Sequence, residues 1–433
     1  MSATTIGIIG IIALFVLIFS RMPIGFLMTI IGVIGFAAIV TGDAAFNLLA
    51  KDFFSVFGSY ELTVIPLFVL MGQLSFHSGI SNRLFDTAYK FIGHLPGGLA
   101  IATVGACAAF SAVCGSTNAT AATMGAATLP EMKRYNYKPN LATGVVTAGG
   151  SLGILIPPSV IFIVYGILTE QSIGKLFLAG VVPGILLVFL FTAAVLIWAY
   201  IDPTIGPAGP KATWKERLKS LQGGSETLLI FILVLGGLFL GFFTPTEAGA
   251  IGAFATIIIA IVRKMLTWEK FVTSLLETIR TTCMIMVIVA GATVFGHFLA
   301  ISRIPFNIAE WVSTMNMSPT LVMSLIILLY IIGGCFIDSL ALIMLTVPIF
   351  YPLILHLGFD PIWFGVIIVM VTQVGVLTPP VGMSVYVVSG VARNVPLEVI
   401  FKGVVPFIIA LLIGIISIMA FPKIALFLPQ MLH

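Results

Sequence analysis

Two short polar runs interrupt an otherwise apolar sequence, and their residues suit the binding of small ions. Residues 114–120 read Cys-Gly-Ser-Thr-Asn-Ala-Thr, and residues 333–339 read Gly-Gly-Cys-Phe-Ile-Asp-Ser. Hydroxyl, amide and carbonyl oxygens are hard ligands that suit a cation such as Na⁺. Backbone N–H groups at the start of a helix favour a carboxylate. The two runs therefore predict sites for a small cation and a small organic anion.

A second kind of interruption follows each polar run: the pattern Gly-x-x-x-Pro-Pro stands at 153–158 and again at 375–380. Consecutive prolines remove backbone donors and disfavour helix. Each stretch therefore predicts a helix that is unwound in its middle and has free carbonyl oxygens, the alternative being a kink that serves packing alone. The predicted cation ligands are Ser111, Cys114 through its carbonyl, Gly153, Ile156 and Pro158 in the first half, and Gly333, Cys335, Thr372, Gly375 and Thr378 in the second.

The anion site is predicted at the polar runs themselves. Its candidate residues are Ser116, Thr117, Asn118, Thr120, Asp338 and Ser339. A carboxylate within a membrane domain is costly and therefore suggests ion coupling, a proton relay or a structural pair. Because Asp338 would repel an anionic substrate, its charge favours a role beside the cation or in fixing its polar run over direct substrate contact.

Some polar side chains have a simpler interpretation. The hydroxyls of Ser111, Thr372 and Thr378 could instead bond back to carbonyls of their own helix. Glu247 lies at the boundary of an apolar run and is predicted to be an interface or helix-start carboxylate. His297 is predicted to be a packed or hydrogen-bonded helix residue, with a proton relay as the alternative.

Composition places these runs in a membrane. Of the 433 residues, 60% are hydrophobic and 8% are charged, whereas soluble domains carry about 25% charged residues. Apolar stretches of spanning length recur along the whole chain, and no cleavable leader is expected because no basic segment precedes the first one. The net charge of +4 comes from short loops, which indicates membrane orientation and no nucleic-acid partner.

The order of apolar segments occurs twice, which predicts an all-α polytopic membrane protein of two inverted-topology repeats. The first repeat, 1–200, contains spans near 5–20, 24–41 and 61–76, an amphipathic stretch 78–95, a re-entrant hairpin 97–132, a broken helix 141–166 and a final span 176–200. A linker follows at 201–224. The second repeat, 225–433, contains spans near 225–243, 247–262 and 283–300, an amphipathic stretch 303–316, a hairpin 318–354, a broken helix 360–390 and a final span 398–421.

Loop charges predict the orientation of both hairpins. The loop after the first hairpin, 131–138, contains two Lys and one Arg, whereas the loop after the second, 356–360, contains none. Basic loops stay in the cytoplasm, so 77–96, 131–140 and 201–224 are predicted to be cytoplasmic and the N-terminus periplasmic. Interrupted segments at matching positions of two inverted halves point to a transporter site near the membrane midplane.

Motifs for catalysis or ATP use were not found: the sequence has no Walker A motif, no His-Glu-x-x-His and no nucleophile elbow. We therefore expect no enzyme activity and expect an ion gradient to supply the energy.

Four stretches together resemble the large membrane (M) subunit of TRAP transporters, the tripartite ATP-independent periplasmic uptake systems. They are 110–116 (Phe-Ser-Ala-Val-Cys-Gly-Ser), 153–159 (Gly-Ile-Leu-Ile-Pro-Pro-Ser), 333–338 (Gly-Gly-Cys-Phe-Ile-Asp) and 378–382 (Thr-Pro-Pro-Val-Gly).

The resemblance spans essentially the whole chain and carries further implications. It implies an elevator mechanism in the bacterial inner membrane, with Na⁺ bound at the two clusters of hairpin and broken helix. It also implies two partners, a small four-helix membrane (Q) subunit, expected on a separate polypeptide, and a periplasmic substrate-binding protein. Where relatives can have Ser, this chain has Cys114, so only its backbone carbonyl remains as a hard ligand.

Three alternatives stay open beside uptake of a carboxylate delivered by a binding protein. A stand-alone Na⁺- or H⁺-coupled carboxylate carrier of the same hairpin design would need no binding protein. A channel would need a continuous polar pore, and a membrane-embedded enzyme would need a catalytic pair. The carboxylate itself, whether a C4-dicarboxylate, a sialic acid or another sugar acid, is not specified by the sequence.

Overall fold

A computed structural model describes residues 1–18, 20, 22–314 and 317–431, and all regular structure in these ranges is helical. The predicted span 5–20 and the predicted amphipathic stretch 303–316 each include residues outside the described ranges. The first half contains α1 (Ala3–Ile18), α2 (Ile24–Ile39), α3 (Gly42–Phe57), α4 (Val64–Ser78), α5 (Ile80–Ile92), α6 (Gly98–Cys114), α7 (Thr117–Arg134), α8 (Pro139–Ser151), α9 (Val160–Thr169) and α10 (Ile173–Ile201). The second half contains α11 (Trp214–Phe231), α12 (Gly237–Phe239), α13 (Pro245–Val262), α14 (Trp268–Ile301), α15 (Ile304–Thr314), α16 (Pro319–Gly334), α17 (Ser339–His356), α18 (Pro361–Leu377), α19 (Met383–Ala392), α20 (Leu397–Ala420) and α21 (Lys423–Met431).

Helix length and composition confirm a polytopic membrane fold. Within the described ranges, six helices are long and apolar enough to cross a membrane, or seven if α3 and α4 are counted as one span bent by 54°. Several shorter apolar helices, among them α6, α9, α16, α18 and α19, have 10–17 residues, fewer than the roughly 20 that a span needs. These five helices are arms of the predicted hairpins and broken helices, whereas α1 and α2, which have 16 residues each, correspond to predicted spans.

The predicted interruptions coincide with breaks in the structure. Hairpin 97–132 is α6 and α7, joined at Gly115, whose φ of +64° is in the left-handed region that favours glycine. Hairpin 318–354 is α16 and α17. The broken helices are α8 with α9 and α18 with α19, and a cis bond joins the two prolines in each break.

Four segments were not predicted as helices, and one of them is the end of the predicted linker 201–224, because α11 already begins at Trp214. Helix α3 was missed altogether, and α14 begins 15 residues before the predicted span at 283–300. Charged residues such as Lys51 and Asp52 in α3, or Glu269 and Lys270 in α14, lower the hydropathy, although one face of each helix is packed. The C-terminal helix α21 was also missed.

The bases of the two hairpins contact the residues just beyond opposite ends of helix α10. At its C-terminal end, the Gly97 N–H at the base of the first hairpin donates to the Gly206 carbonyl at 2.8 Å. At its N-terminal end, the Tyr351 hydroxyl of the second hairpin donates to the Thr169 carbonyl at 3.1 Å. A helix of 29 residues is about 44 Å long, so the two bases lie at opposite ends of a span.

An ion pair joins the base of the first hairpin to the linker. Lys138 Nζ lies 2.6 Å from Asp202 Oδ2. Hydrogen bonds from Lys138 and Thr204 lower the pKa of Asp202 to about 2, so this carboxylate is ionised at neutral pH. The predicted cytoplasmic segments 131–140 and 201–224 therefore lie together on one face.

Two groups of helices pack around the interruptions. We call α1–α4, α13 and α14 the scaffold, and α6–α10 with α16–α20 the hairpin bundle. Glycines allow close helix contact in both groups: a Cβ at Gly32 of α2 would lie 3.0 Å from the Phe295 backbone nitrogen of α14. In the hairpin bundle, Gly144 of α8 contacts the Gly403 backbone of α20.

A buried carboxylate ties α5, α11 and the end of α13 together. Glu226 is 7% exposed, and its Oε1 lies 2.8 Å from Arg83 Nη1 and 2.6 Å from Arg263 Nε. Both arginine side chains are more than a third exposed. Loss of the carboxylate would leave two like charges facing each other with no counter-charge between them.

We expect Glu226→Gln to destabilise the protein by about 2 kcal/mol, which is below the range for fully buried pairs because both arginines reach solvent. The measurement is the unfolding temperature of the purified protein in detergent. Asp86→Asn is the matched control, since the Asp86–Lys90 pair at 2.9 Å is a surface i,i+4 pair and is expected to cost less than about 0.5 kcal/mol. Equal effects of the two substitutions would contradict this account.

Candidate binding site at the hairpin tips

The two hairpin tips meet at one cavity of about 190 Å³. Its walls come from both tips, from both broken helices, and from α4 and α14 of the scaffold. The polar lining residues are Gln73, Ser116, Thr117, Asn118, Thr281, Asp338, Ser339 and Ser384. The cavity therefore lies where the hairpin bundle contacts the scaffold.

Four helices begin at this cavity, and their N-terminal ends give it an anion-attracting character. They are α7, α9, α17 and α19, each represented in the lining by residues of its first turn. The positive ends of helix dipoles and their free N–H groups stabilise anions. The described lining residues include the carboxylate of Asp338 and no Lys, Arg or His, so the helix N-terminal ends are the positive groups that this lining offers an anion.

The first predicted cation cluster is built from helix C-terminal ends and free carbonyls. Ser111 is fully buried, and no hydrogen-bond partner reaches its Oγ among the described residues. In the same part of the chain, no hydrogen bond reaches the carbonyl oxygens of Cys114, Gly153, Ile156 or Pro158. A buried oxygen without a partner costs about 1–3 kcal/mol, and a cation would remove that cost.

Close backbone contacts bring the first cluster together. A Cβ on Gly153 would lie 2.6 Å from the Ser116 carbonyl oxygen, and one on Gly115 would lie 2.6 Å from that of Pro158. On the scaffold side, a Cβ on Gly72 would lie 2.7 Å from the Cys114 carbonyl oxygen. The first tip is thus fixed to its broken helix and touches α4.

The second predicted cluster forms where Gly334 at the end of α16 meets Gly375 of α18. A Cβ on Gly375 would lie 2.5 Å from the Gly334 Cα. The Thr372 and Thr378 hydroxyls donate to the carbonyls of Val369 and Val374, at 2.8 and 2.6 Å. Both hydroxyls thus bond back to their own helix, although each Oγ1 keeps lone pairs that could bind a cation.

The three other candidates of the second cluster have partners as well, and the Gly375 carbonyl accepts the Thr378 N–H at 3.1 Å. The Gly333 carbonyl accepts the N–H groups of Phe336 and Ile337, both at 3.0 Å. The Cys335 thiol donates to the Ile331 carbonyl at 3.2 Å. The second cluster therefore offers a cation fewer free oxygens than the first.

Five of the six predicted anion-site residues line the cavity: Ser116, Thr117, Asn118, Asp338 and Ser339. The sixth, Thr120, is fully buried beside the Cys114 thiol and does not line it. Asp338 caps α17, because its Oδ2 accepts the Leu340 N–H at 3.0 Å. That bond is consistent with a role of Asp338 in fixing the hairpin tip, and the alternative role beside the cation stays a prediction.

Four polar residues at or near the site were missed in the sequence. Gln73, Thr281 and Ser384 line the cavity. Gln373 is fully buried in α18, and neither polar atom of its amide has a partner among the described residues. The available signal was a single polar residue within an apolar run, which by itself is too common in membrane helices to stand out.

The two other ionisable candidates have structural partners. Glu247 Oε2 accepts the Thr244 N–H at 2.8 Å and forms a capping box at the start of α13, which confirms the helix-start prediction. His297 Nδ1 lies 2.8 Å from Asp52 Oδ2 of α3, which confirms a hydrogen-bonded histidine. Neither residue lines the cavity at the tips.

Paired hairpins, broken helices and a shared cavity define the class of a hairpin-type membrane transport protein. A solved structure has a similar fold: the YdaH transporter of Alcanivorax borkumensis, with a TM-score of 0.60 and 15% identity over 90% of this chain and 88% of that chain. This likeness concerns the fold alone.

The family follows from the sequence. The profile described as "Tripartite ATP-independent periplasmic transporter, DctM component" matches residues 11–424. The C4-dicarboxylate TRAP transporter large permease of Pseudomonas aeruginosa is 38% identical, over 89% of this chain and 90% of the relative. The sialic acid TRAP transporter large permease of Vibrio cholerae is 35% identical, over 96% of each.

The chain therefore belongs to the large permease family of TRAP transporters. It is a multi-pass membrane protein, and the inner membrane is the typical location of these permeases. The family description makes the large permease one component of a three-part system that does not use ATP.

Proposed function

We propose that the chain couples the inward movement of Na⁺ to the uptake of a small organic anion bearing a carboxylate. The observation that carries the proposal is the convergence of four helix N-terminal ends on one cavity, with unpartnered carbonyl oxygens directly behind the first tip. Helix N-terminal ends suit the anion, and the carbonyls suit the cation. Relatives whose names specify C4-dicarboxylates or sialic acid support a carboxylate cargo.

Coupling follows from the short distance between the two kinds of site. The first tip joins the end of α6 to the start of α7 through Gly115 and Ser116. A cation bound by the Cys114 carbonyl would lie near an anion bound at Thr117, where low dielectric strengthens their attraction. Each ion then favours binding of the other, and the pair is carried together.

An elevator movement fits the position of the cavity. The cavity lies between the hairpin bundle and the scaffold, which contributes Gln73 of α4 and Thr281 of α14. The hairpins enter from opposite ends of α10, so a shift of the bundle along the scaffold would open the cavity first to one side and then to the other. The contact between Gly72 and Cys114 is one that this shift would break.

Two partners complete the proposed system: a small membrane (Q) subunit and a periplasmic binding protein that delivers the anion. The family description supports both, because it specifies a tripartite periplasmic transporter. A stand-alone carrier remains the second candidate, since the cavity and the unpartnered carbonyl oxygens behind the proposal both belong to this chain.

The test reconstitutes the chain in liposomes with its small subunit and its binding protein, and then omits each component in turn. The probes are radiolabelled succinate and radiolabelled N-acetylneuraminate. We expect Na⁺-dependent uptake of at least one probe only when all three components are present. Uptake by the chain alone at the full rate would instead establish the stand-alone carrier.

A further inference from the structure

Two of the helices that begin at the cavity lie side by side and point the same way. Helices α7 and α19 pack together, and a Cβ at Gly125 would lie 3.4 Å from Val391 Cγ1. Gly125 is eight residues after Thr117, and Val391 is seven after Ser384. At a rise of about 1.5 Å per residue, the N-terminal ends of the two helices are level to within about 2 Å.

Each of these two helix starts carries a buried hydroxyl without a partner. Thr117 is 9% exposed and Ser384 is 0% exposed, and both line the cavity. Neither Thr117 Oγ1 nor Ser384 Oγ has a hydrogen-bond partner among the described residues. A hydroxyl in a first helical turn has no helical carbonyl four residues behind it, whereas Thr123, farther along α7, donates to the Ala119 carbonyl at 2.7 Å.

Free backbone donors accompany the hydroxyls. Helix α19 starts after Gly382 and has no side-chain cap. The first N–H groups with a partner belong to Val385 and Tyr386, which both donate to the Gly382 carbonyl. In the described part of the chain, no acceptor reaches the N–H groups of Met383 and Ser384.

The remaining helix starts are less suited to a carboxylate. At α17, the Asp338 carboxylate already accepts the Leu340 N–H and would repel a second carboxylate. At α9, the Ser159 hydroxyl donates to the Ile154 carbonyl at 2.6 Å, so it offers no free proton. The starts of α7 and α19 therefore combine free hydroxyl protons with the positive ends of two parallel helix dipoles.

We infer that the starts of α7 and α19 together form the subsite that binds the carboxylate group of the transported anion. The Thr117 and Ser384 hydroxyls donate one hydrogen bond each, and the N–H groups of Met383 and Ser384 donate the others. This inference rests on the proposed function and specifies which part of the site recognises the substrate's charge. The subsite joins a hairpin tip of one half to the broken helix of the other.

The test measures uptake by the complete reconstituted system, using whichever of radiolabelled succinate and N-acetylneuraminate the wild type accumulates more. Thr117→Val and Ser384→Ala are each expected to raise the KM for the probe about 10-fold or more, as befits loss of a hydrogen bond to a charged group. The Na⁺ concentration for half-maximal uptake at saturating probe should stay within about 2-fold. Thr123→Val is the matched control and should change neither value.

Conservative variants separate recognition from folding. Thr117→Ser and Ser384→Thr keep the hydroxyl and are expected to restore a KM near that of the wild type. A KM within 2-fold of wild type in both hydroxyl-deleting variants would overturn the subsite. A change in the Na⁺ concentration for half-maximal uptake, with the KM for the probe unchanged, would also overturn it. So would a failure of both conservative variants to restore the wild-type KM. Absence of Na⁺-dependent uptake of both probes by the wild-type system would instead overturn the proposed function, and the subsite with it.

Discussion

Gly375→Ala is expected to reduce Na⁺-dependent uptake about 100-fold, because it separates the second hairpin tip from its broken helix. The new Cβ would lie 2.5 Å from the Gly334 Cα and 2.6 Å from the Gly334 carbonyl carbon. Both are backbone atoms, so no side chain can rotate out of the way. Such overpacking costs about 1–3 kcal/mol, and a displacement of about 1 Å at a site can cost 100-fold in rate.

Gly390→Ala is the matched control for that substitution. Gly390 is also a helical glycine, in α19, but a Cβ there would meet nothing within 4 Å. We expect uptake within about 2-fold of wild type, since the site keeps its geometry and alanine favours helix over glycine. Equal uptake by the two variants would show that the contact between Gly334 and Gly375 does not position the second cluster.

Ser111→Ala is expected to raise the Na⁺ concentration for half-maximal uptake about 10-fold, because it removes the one hydroxyl ligand of the first cluster. The 10-fold change is expected because a hydrogen bond or ligand contact to a charged group contributes roughly 1.5–3 kcal/mol. Thr103→Val is the control in the same helix, because the Thr103 hydroxyl is also buried but donates to the Leu99 carbonyl at 2.8 Å. Thr103→Val should leave the Na⁺ concentration for half-maximal uptake within about 2-fold of the wild-type value.

A stability measurement distinguishes a cation ligand from a structural hydroxyl at Ser111. The Ser111 Oγ has no partner among the described residues, so its removal should not lower the unfolding temperature in Na⁺-free buffer. The rise in unfolding temperature on adding Na⁺ should become smaller, because stabilisation by a bound ion depends on its affinity. A lower unfolding temperature without Na⁺, together with an unchanged rise, would assign Ser111 a structural role.

The breaks in the fold were predictable because they depend on local chemistry. The two consecutive prolines of Gly-x-x-x-Pro-Pro remove backbone donors and disfavour helix, and Gly115 lies at the tip that the polar run 114–120 indicated. Helix α3 and the first half of α14 were not predicted, because their packing depends on a tertiary partner. Asp52, for example, is 4% exposed and lies against His297 of α14, a partner that is 245 residues away in the sequence.

The residues of the candidate site at the hairpin tips were predictable from the sequence, but those that other helices contribute were not. Five of its residues stand in the two polar runs, where several polar types occur together. Ser384 and Gln373 are single polar residues, and only the three-dimensional arrangement brings Ser384 and Thr117 into the wall of one cavity. Conversely, Thr120 fits the polar pattern, yet helix rotation turns it away from the cavity.

The central claim is that a Na⁺ gradient drives anion accumulation through the cavity between the hairpin bundle and the scaffold. The most direct test follows radiolabelled succinate and N-acetylneuraminate in proteoliposomes of the complete system, without ATP and with an inward Na⁺ gradient. We predict that one probe accumulates above its external concentration, and that a Na⁺ ionophore or replacement of Na⁺ by K⁺ abolishes this accumulation. Uptake that only equalises the internal and external probe concentrations, or uptake that the ionophore does not change, would contradict the account.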